Sequence, residues 1–389
     1  MINITDKSQC CGCEGCVQIC PTSCISFKAD NEGFRYPKVD TSRCSNCGLC
    51  EKVCPVIHKG STIKPLAIYA AKNPNEQIRK ESSSGGVFTL LAEQTIDQGG
   101  VVFGAKFNQE WNIEHSFTTT KEGLKPLRGS KYTQSRIGRS YIEVKEFLIQ
   151  GRQVLFSGTP CQVAGLKKFL RKEYDNLTSV EIICHGVPSP RVWDLYKNEL
   201  LRVNGASKFN NINFRDKCVG WNLFSFRAEL QTPSEVKMVS MPFPRNPFMR
   251  GFLKELFNRP VCHSCHAKSS RSGADITIAD FWGIERVSRK FADDKGASMA
   301  IINTPKGAKT FDTLQLESQK VKRSTIQRTY FKPTKANRNR EKFFEALDSA
   351  LAMTDEVAIT PLINANTKPT LLKKFTRSLN KFFTSLIKR

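Results

Sequence analysis

The chain has 389 residues, which is long enough for a main domain with a sizeable core and one or two small modules. Its formal net charge is +24, a balance that favours acidic proteins, anionic cofactors, nucleic acid or membrane surfaces as partners. No apolar run approaches the roughly twenty residues of a membrane-spanning helix, and no helix-turn-helix, zinc-finger or ribonucleoprotein motif is present, so we expect neither a membrane span nor nucleic-acid binding.

Two copies of one cysteine pattern stand near the start of the chain. They read Cys10-x2-Cys13-x2-Cys16-x3-Cys20-Pro21 and Cys44-x2-Cys47-x2-Cys50-x3-Cys54-Pro55. This is the bacterial ferredoxin spacing for [4Fe–4S] clusters, in which the fourth cysteine of each run binds the other cluster. Zinc is the alternative, but structural zinc usually takes two separated Cys-x2-Cys pairs. We therefore predict a first cluster bound by Cys10, Cys13, Cys16 and Cys54 and a second bound by Cys44, Cys47, Cys50 and Cys20.

The cysteine-rich segment, residues 1–58, is predicted to be a ferredoxin-like α+β module. It holds few large apolar side chains, so the two clusters would form much of its core and metal loss should unfold it. Cys11 and Cys24 lie outside the pattern and are expected to be small buried apolar residues. No hydrophobic signal segment precedes Met1, so we expect a cytoplasmic protein whose thiols stay reduced.

After a linker at 59–65, short apolar runs alternate with helical patterns, which is typical of an α/β domain. We predict strands at 67–71, 101–105, 154–157 and 180–184, and helices at 86–98, 160–171 and 190–203. A more antiparallel insertion would follow, with strands at 211–214, 223–230 and 236–241 and then a helix at 247–257. The main domain, which we assign to 66–345, would end with strands at 275–279 and 299–303, a helix at 306–317 and a poorly periodic basic stretch at 320–342.

Residues 346–389 are predicted to form a basic tail. Its apolar residues recur at helical spacing among lysines and arginines, namely Leu372, Phe375, Leu379, Phe382 and Leu386. The pattern indicates a basic amphipathic helix that lies on an anionic membrane surface or docks on a partner. Packing back on the chain's own main domain is the alternative.

Four further cysteines lie in the main domain. Cys161 and Cys184 each follow a predicted strand, where the ligand sites of α/β sheets gather, and Cys262 and Cys265 form a Cys-x2-Cys pair. Together they suit a third [4Fe–4S] cluster. A zinc site using Cys262, Cys265 and nearby histidines, or simple burial of Cys161 and Cys184, remains open. Cys218 has no partner in the pattern and is expected to be structural.

A run of small residues, Ser82-Ser83-Ser84-Gly85-Gly86, precedes the predicted helix at 86–98. Its amides and hydroxyls would suit a phosphate or pyrophosphate at a helix amino terminus. A serine-rich turn with an ordinary helix cap is the alternative.

Several long motifs occur in a fixed order across residues 66–345. They are SSSGGVFTLL, GSKYTQS, VLFSGTPCQVAGLKKFL, IICHGVPSP, FRDKCVGW and CHSCHAKSSRSGADITIADFWG. The set resembles the family of coenzyme F420 hydrogenase and dehydrogenase beta subunits, which often carry a ferredoxin module at the amino terminus. The resemblance implies FAD, iron–sulfur clusters and electron passage between the clusters and a hydride-accepting substrate, classically the 5-deazaflavin coenzyme.

The resemblance also implies roles for individual residues. Lys131 would stand at the electron-rich side of the flavin ring, and Thr159 and Cys161 at a turn that faces both flavin and cluster. Candidates for flavin phosphate or ring contacts are Ser83, Ser84, Gly85 and Gly86.

Other residues of the shared motifs have two readings. Asp280, Phe281 and Trp282 would wall the flavin pocket, or they would be an ordinary buried aromatic pair beside a capping aspartate. Arg215 and Lys217 carry the same two readings.

The sequence therefore predicts an iron–sulfur flavoprotein oxidoreductase that accepts electrons from, or gives them to, a protein such as ferredoxin or flavodoxin. A flavin is needed because a cluster carries single electrons whereas hydride chemistry moves two. The chain shows no nickel site or other hydride source, so the sequence leaves the small-molecule substrate open. The alternative is a relay or redox-sensing protein without flavin, and a scaffold subunit in an envelope pathway is suggested only by the basic tail.

Overall fold

The computed structural model describes residues 1–354 and 356–367. The cysteine-rich segment has little regular structure. Strands β1 (Ile25–Ala29) and β2 (Arg35–Val39) form an antiparallel hairpin in which Ile25 pairs with Val39. Two one-turn helices, α1 (Gly15–Gln18) and α2 (Leu49–Lys52), each contain the third cysteine of a cysteine run. The segment is thus a small α+β unit arranged around its cysteines.

The main domain is built on a mixed sheet of eight strands. The first five in chain order are β3 (Ala67–Lys72), β4 (Val101–Phe107), β5 (Ile113–Thr118), β6 (Val154–Gly158) and β7 (Leu177–Ile182). The last three follow the second sheet described below and are β11 (Ile276–Asp280), β12 (Ser298–Ile302) and β13 (Glu317–Lys320). Their spatial order is β13-β3-β12-β11-β7-β6-β4-β5. The four central strands, β11, β7, β6 and β4, are parallel, and antiparallel strands flank them.

A second sheet of three antiparallel strands lies between β7 and β11 in the chain. It contains β8 (Lys208–Asp216), β9 (Ser225–Gln231) and β10 (Val236–Pro242) in the order β10-β9-β8. The predicted antiparallel insertion is confirmed.

Nine helices of the main domain cover these sheets in the described part of the chain. They are α3 (Glu76–Glu81), α4 (Val87–Asp97), α5 (Ser140–Ile149), α6 (Pro160–Leu170), α7 (Pro190–Val203), α8 (Pro247–Leu253), α9 (Pro305–Asp312), α10 (Arg340–Met353) and α11 (Ile359–Asn366).

Both faces of the large sheet are buried by helices. Val102 and Leu155 point to one face and pack with Leu91 of α4, whereas Val101 and Val154 point to the other face, which α5 and α6 cover. Burial on two faces explains why the central strands read as continuous apolar runs rather than as alternating ones. The predicted α/β core is confirmed as a mixed three-layer domain.

The three-stranded sheet shares a separate aromatic core with α7, α8, α10 and α11. Trp193, Phe214, Phe226 and Phe248 are fully or almost fully buried there. Helix α10 runs across residue 345, and Ile363 of α11 packs in the same core. Residues of the predicted tail up to 367 therefore contact the main domain, and the amphipathic pattern from Leu372 onwards lies outside the described residues.

The predicted helices at 160–171 and 190–203 are confirmed as α6 and α7. Three other sequence predictions need correction. Strand 299–303 is not the last, because the polar edge strand β13 follows it. The helix predicted at 306–317 ends at Asp312, and the helix predicted at 247–257 ends at Leu253. Helix α3, strand β5 and helix α5 were not predicted.

The cysteine-rich segment docks against the large domain near the start of α5. Glu14 accepts a hydrogen bond from the Gly138 amide at 2.9 Å, and the Gln18 side chain accepts one from the Tyr141 amide at 3.0 Å. These side-chain contacts fix the cysteine runs relative to the sheet. No helix within residues 1–354 and 356–367 is long and apolar enough to cross a membrane.

Candidate functional site

A cavity of about 240 Å3 lies at the carboxyl ends of the parallel strands. Thr159 and Cys161 reach it from the turn after β6, Cys184 from the segment after β7, and Asp280 from the end of β11. Ligand sites of open α/β sheets form where the carboxyl ends of the strands meet. Since the cavity lies at that edge of the sheet, it is the candidate functional site.

The serine-rich loop forms one wall of this cavity. Ser83, Ser84 and Gly86 line it, and Gly86 has a φ of +83° immediately before α4, a backbone conformation that favours glycine. Gly85 lies beneath the loop instead: its amide donates to the Ser298 hydroxyl at 2.9 Å, and a Cβ there would come within 2.5 Å of a β3 carbonyl oxygen. Gly85 thus lets the loop lie close against the sheet.

Two basic side chains hold the loop from behind. Arg215 donates to both carboxylate oxygens of Asp280 at 2.8 Å and to the Ser83 carbonyl at 3.0 Å, and its side chain is buried. Lys217 donates to the Ser84 carbonyl at 2.8 Å. Both residues therefore hold the loop in position, because their charged groups form hydrogen bonds with the protein's own carbonyl and carboxylate oxygens.

The aromatic residues after β11 lie away from the cavity. Asp280 lines it, but Phe281 is buried in a core beside the sheet, and Trp282 stacks on Trp221 with ring centroids 4.5 Å apart. Of the two readings open for these residues, the structure supports a cavity wall for Asp280 and core packing for the aromatic pair.

Lys131 also lines the cavity, as the sequence suggested. Its ammonium donates to the carbonyls of Arg128 and Gly129 at 2.9 and 3.1 Å, and it lies 5.8 Å from the centre of the Phe107 ring. Burial lowers the pKa of Lys131 to about 7. A negative group in the cavity would favour its charged form, so Lys131 suits an anionic ligand.

A buried hydrogen-bonded network, which the sequence did not predict, forms the floor of the cavity. His115 Nε2 lies 3.0 Å from the Ser157 carbonyl, which can only accept, so Nε2 carries the proton and Nδ1 accepts from the Ser135 hydroxyl at 3.0 Å. The side-chain nitrogen of Gln162 donates to the Ser135 hydroxyl at 2.8 Å, and the side-chain oxygen of Gln162 accepts from the backbone amide of Thr159 at 2.9 Å. The network leads to Cys161, since the Thr159 hydroxyl lies 3.2 Å from its sulfur.

The buried His115 should make stability depend on pH. Burial lowers the pKa of His115 to about 4, whereas an unfolded histidine titrates near 6.5. The unfolded state therefore takes up its proton first, so the stabilisation is complete above about pH 6.5 and is lost as the pH falls towards 4, by about 3 kcal/mol in all. We expect His115→Gln to flatten the dependence of the unfolding free energy on pH between 7 and 5 in urea titrations.

The matched control is His58→Gln, because His58 is exposed. Burial also lowers the pKa of His263 and of His266, so the parent protein carries three such contributions and only the difference isolates His115. An identical slope in the parent and His115→Gln would show that His115 does not titrate as proposed.

Four of the five cysteines of the main domain, Cys161, Cys184, Cys262 and Cys265, come together beside the cavity. Burial, together with the neighbouring thiols of Cys262, Cys161 and Cys265, raises the pKa of Cys184 well above its usual value. Burial likewise raises the pKa of Cys262 and of Cys265. Cys161 and Cys184 also line the cavity. We call these four cysteines the third thiol group, and the two sets predicted for the first and second clusters the first and second thiol groups. The third thiol group thus forms part of the cavity wall.

The cysteines of the two runs lie close together in the cysteine-rich segment. Burial raises the pKa of Cys16 well above its usual value, and the neighbouring thiols of Cys13, Cys10, Cys54 and Cys50 raise it further. Cysteines of the second group surround one small cavity together with Cys24; they are Cys20, Cys44, Cys47 and Cys50. Cys24 is buried, as expected, and its sulfur lies 3.4 Å from that of Cys20.

Cys11 connects the first and third thiol groups. It is buried, as expected, and packs in one cluster with Cys13, Cys161 and Cys262. The three thiol groups therefore follow one another from the cysteine-rich segment to the cavity wall. Across residues 1–354 and 356–367, no three His, Cys, Asp or Glu side chains are placed to bind a single metal ion.

Comparison with known families gives three matches. Residues 68–140 match the N-terminal domain, and residues 151–328 the C-terminal domain, of the family described as "Coenzyme F420 hydrogenase/dehydrogenase, beta subunit". Residues 9–57 match a 4Fe-4S dicluster domain. The two beta subunit matches together span more than half of the chain.

Among solved structures, the chain is similar to one described as "Xenon derivatization of the F420-reducing [NiFe] hydrogenase complex from Methanosarcina barkeri". The identity is 17% and the TM-score 0.43, over 66% of this chain and 83% of that chain. No curated protein matches the chain. The two beta subunit matches and the dicluster match show that the chain belongs to the coenzyme F420 hydrogenase/dehydrogenase beta subunit family, as an iron–sulfur protein of oxidoreductase type with a 4Fe-4S dicluster domain at residues 9–57.

Proposed function

We propose that the chain is an iron–sulfur flavoprotein oxidoreductase that acts on a deazaflavin-like or other conjugated substrate. The observation that carries the proposal is the common wall of the cavity, where the third thiol group meets the serine-rich loop and Lys131. When bound, FAD would exchange single electrons with a cluster and two electrons with the substrate. A cavity that touches both a thiol group and solvent suits that combination.

The residues around the cavity fit a flavin by their chemistry. Ser83, Ser84 and Gly86 precede α4, whose amino terminus favours a phosphate group. Lys131 and Thr159 supply a cation and a hydroxyl at the walls. In this proposal Gly85 supports the loop from below and touches no ligand.

The thiol groups fit three [4Fe–4S] clusters in sequence. Each holds four cysteines, the donor set that such clusters take. Cys47 of the second group is exposed, whereas every cysteine of the other two groups is buried or partly buried. We therefore place the exchange of electrons with a partner protein at the second group. Redox partner subunits, or an acidic ferredoxin or flavodoxin, would dock there, attracted by the chain's net positive charge.

The proposed organisation follows from these assignments. Residues 1–58 would act as a ferredoxin-like electron-transfer module, 59–65 as a linker and 66–345 as the flavin-binding domain. The segment 346–389 would add a basic tail with a peripheral membrane contact.

Anaerobic purification tests the proposal. We expect about twelve iron atoms per chain, since each cluster holds four, together with one FAD. Cys161→Ser and Cys265→Ser should each lose about four irons. The matched control, Cys218→Ser, removes an exposed cysteine outside the three groups and should keep the full complement. Protein that contains iron and sulfide but neither holds nor binds FAD would instead be a non-catalytic relay or redox sensor.

A further inference from the structure

Arg259 lies at the junction between the cysteine-rich segment and the main domain. Its side chain is fully buried, and it immediately precedes the short helical turn that carries Cys262. The guanidinium donates to the Cys10 carbonyl at 2.8 Å, the Arg35 carbonyl at 2.9 Å and the Gln134 side-chain oxygen at 2.7 Å. A fourth contact joins Nη2 to the Cys10 sulfur at 3.6 Å.

The hydrogen-bond acceptors of this buried cation are neutral oxygens and one sulfur. In the part of the chain that the structure describes, no carboxylate forms an ion pair with Arg259. Glu14 is close enough to interact electrostatically, but its carboxylate pairs with Arg35 at 3.3 Å and accepts from the Gly138 amide. An unpaired buried charge costs several kcal/mol, so the surroundings of Arg259 require a negative group.

The negative charge has to come from sulfur. The ionisable groups that act most strongly on Arg259 are Cys10, Tyr36, Cys11 and Cys262. Cys161 and Cys262 of the third group pack in one cluster with Cys11, the residue that follows Cys10 in the chain. The cation thus lies between the first and third thiol groups, in contact with a cysteine of the first.

We propose that Arg259 is the buried countercharge of the first cluster and raises its reduction potential. The inference rests on the proposed function, because it takes Cys10 as a cluster ligand. One-electron reduction by a low-potential reductant adds one negative charge to the cluster and makes or breaks no bond. A cation held beside a ligand sulfur, at a low local dielectric, stabilises the reduced form more than the oxidised form. Arg259 is therefore a positioning and tuning residue rather than a catalytic one.

Redox titration with dithionite, followed by electron paramagnetic resonance, tests this role. Arg259→Gln should lower the reduced-to-oxidised ratio of one cluster at least tenfold at a fixed potential, which is a midpoint shift of about 59 mV for one electron. The matched control is Arg152→Gln. Arg152 donates to the Gly99 carbonyl at the amino end of β4, so this change removes the same charge at the opposite edge of the sheet and should leave all midpoints unchanged.

A second variant keeps the arginine. Gln134→Glu places a carboxylate beside the guanidinium, 2.7 Å from it in the present geometry, and should lower the same midpoint by neutralising the cation. If Arg259→Gln fails to retain iron, Gln134→Glu decides the question. Unchanged midpoints in a Gln134→Glu protein of full iron content would overturn the proposal. Iron content and FAD content of each sample show separately whether the proposed function itself has failed.

Discussion

Anaerobic removal of iron by a chelator is expected to unfold the cysteine-rich segment while the eight-stranded sheet of the main domain stays folded. The core around the second thiol group contains five buried residues, of which three are cysteines: Ile2, Cys16, Cys24, Ile25 and Cys50. Its helices are single turns and its sheet is one hairpin, neither of which is stable alone. Without iron, little apolar burial remains to hold this segment together.

Limited proteolysis and far-ultraviolet circular dichroism check this expectation. New cleavage sites should appear before residue 58 on chelation, while the fragment from about residue 66 onwards resists digestion. Cys16→Ser should show the same cleavage without chelator, and Cys218→Ser should behave as the parent protein, because Cys218 is exposed and outside the thiol groups. Full protection of the first 58 residues after iron loss would contradict a metal-dependent fold.

The regular elements were predictable where the sequence marks both their start and their period. Thr159-Pro160 and Ser189-Pro190 place a capping residue and then proline at the first helical position, and α6 and α7 begin there. Helix α8 was predicted too long because Leu256 and Phe257 continue the apolar pattern. They are buried, but they follow a turn at Glu255, whose φ of +59° lies in the left-handed region and cannot continue the helix.

The edge strand β13 has a weaker sequence pattern than the central strands. Strand β13 has the sequence Glu-Ser-Gln-Lys and is partly or fully exposed, so it has no hydrophobic period and depends on pairing with β3. Edge strands of this kind are set by tertiary pairing, which local sequence patterns do not report.

The residues of the candidate site also divide into those that the sequence predicts and those that only the fold reveals. The two cysteine runs carry their ligand pattern in local spacing, so the sequence alone is enough to predict them as cluster ligands. The third group joins residues from Cys161 to Cys265, so only the fold brings them together. His115 and Arg259 have no sequence signal, because a lone histidine on a strand and a lone arginine in a basic chain are common. Their roles come from burial and from the partners that surround them.

Arg215→Met should lower the unfolding free energy by about 3–5 kcal/mol and weaken the proposed binding of FAD at least tenfold. The change leaves the Asp280 carboxylate, which is mostly buried, with the Trp221 indole as its remaining side-chain donor at 2.8 Å. Breaking one side of a buried pair leaves an uncompensated charge, which explains the stability loss. The Ser83 carbonyl loses its donor as well, so the part of the loop that lines the cavity loses one of its anchoring hydrogen bonds. Urea unfolding and fluorescence titration with FAD measure the two effects.

A double variant separates charge from loop position. Arg215→Met combined with Asp280→Leu removes both charges, so most of the lost stability should return, as expected when a buried ion pair is replaced by apolar side chains. Flavin affinity should remain low, because Ser83 still lacks its donor. If affinity returned together with stability, the loop would not depend on Arg215, and its other contacts, such as those from Lys217 to the Ser84 carbonyl and from the Gly85 amide to Ser298, would be enough to hold it.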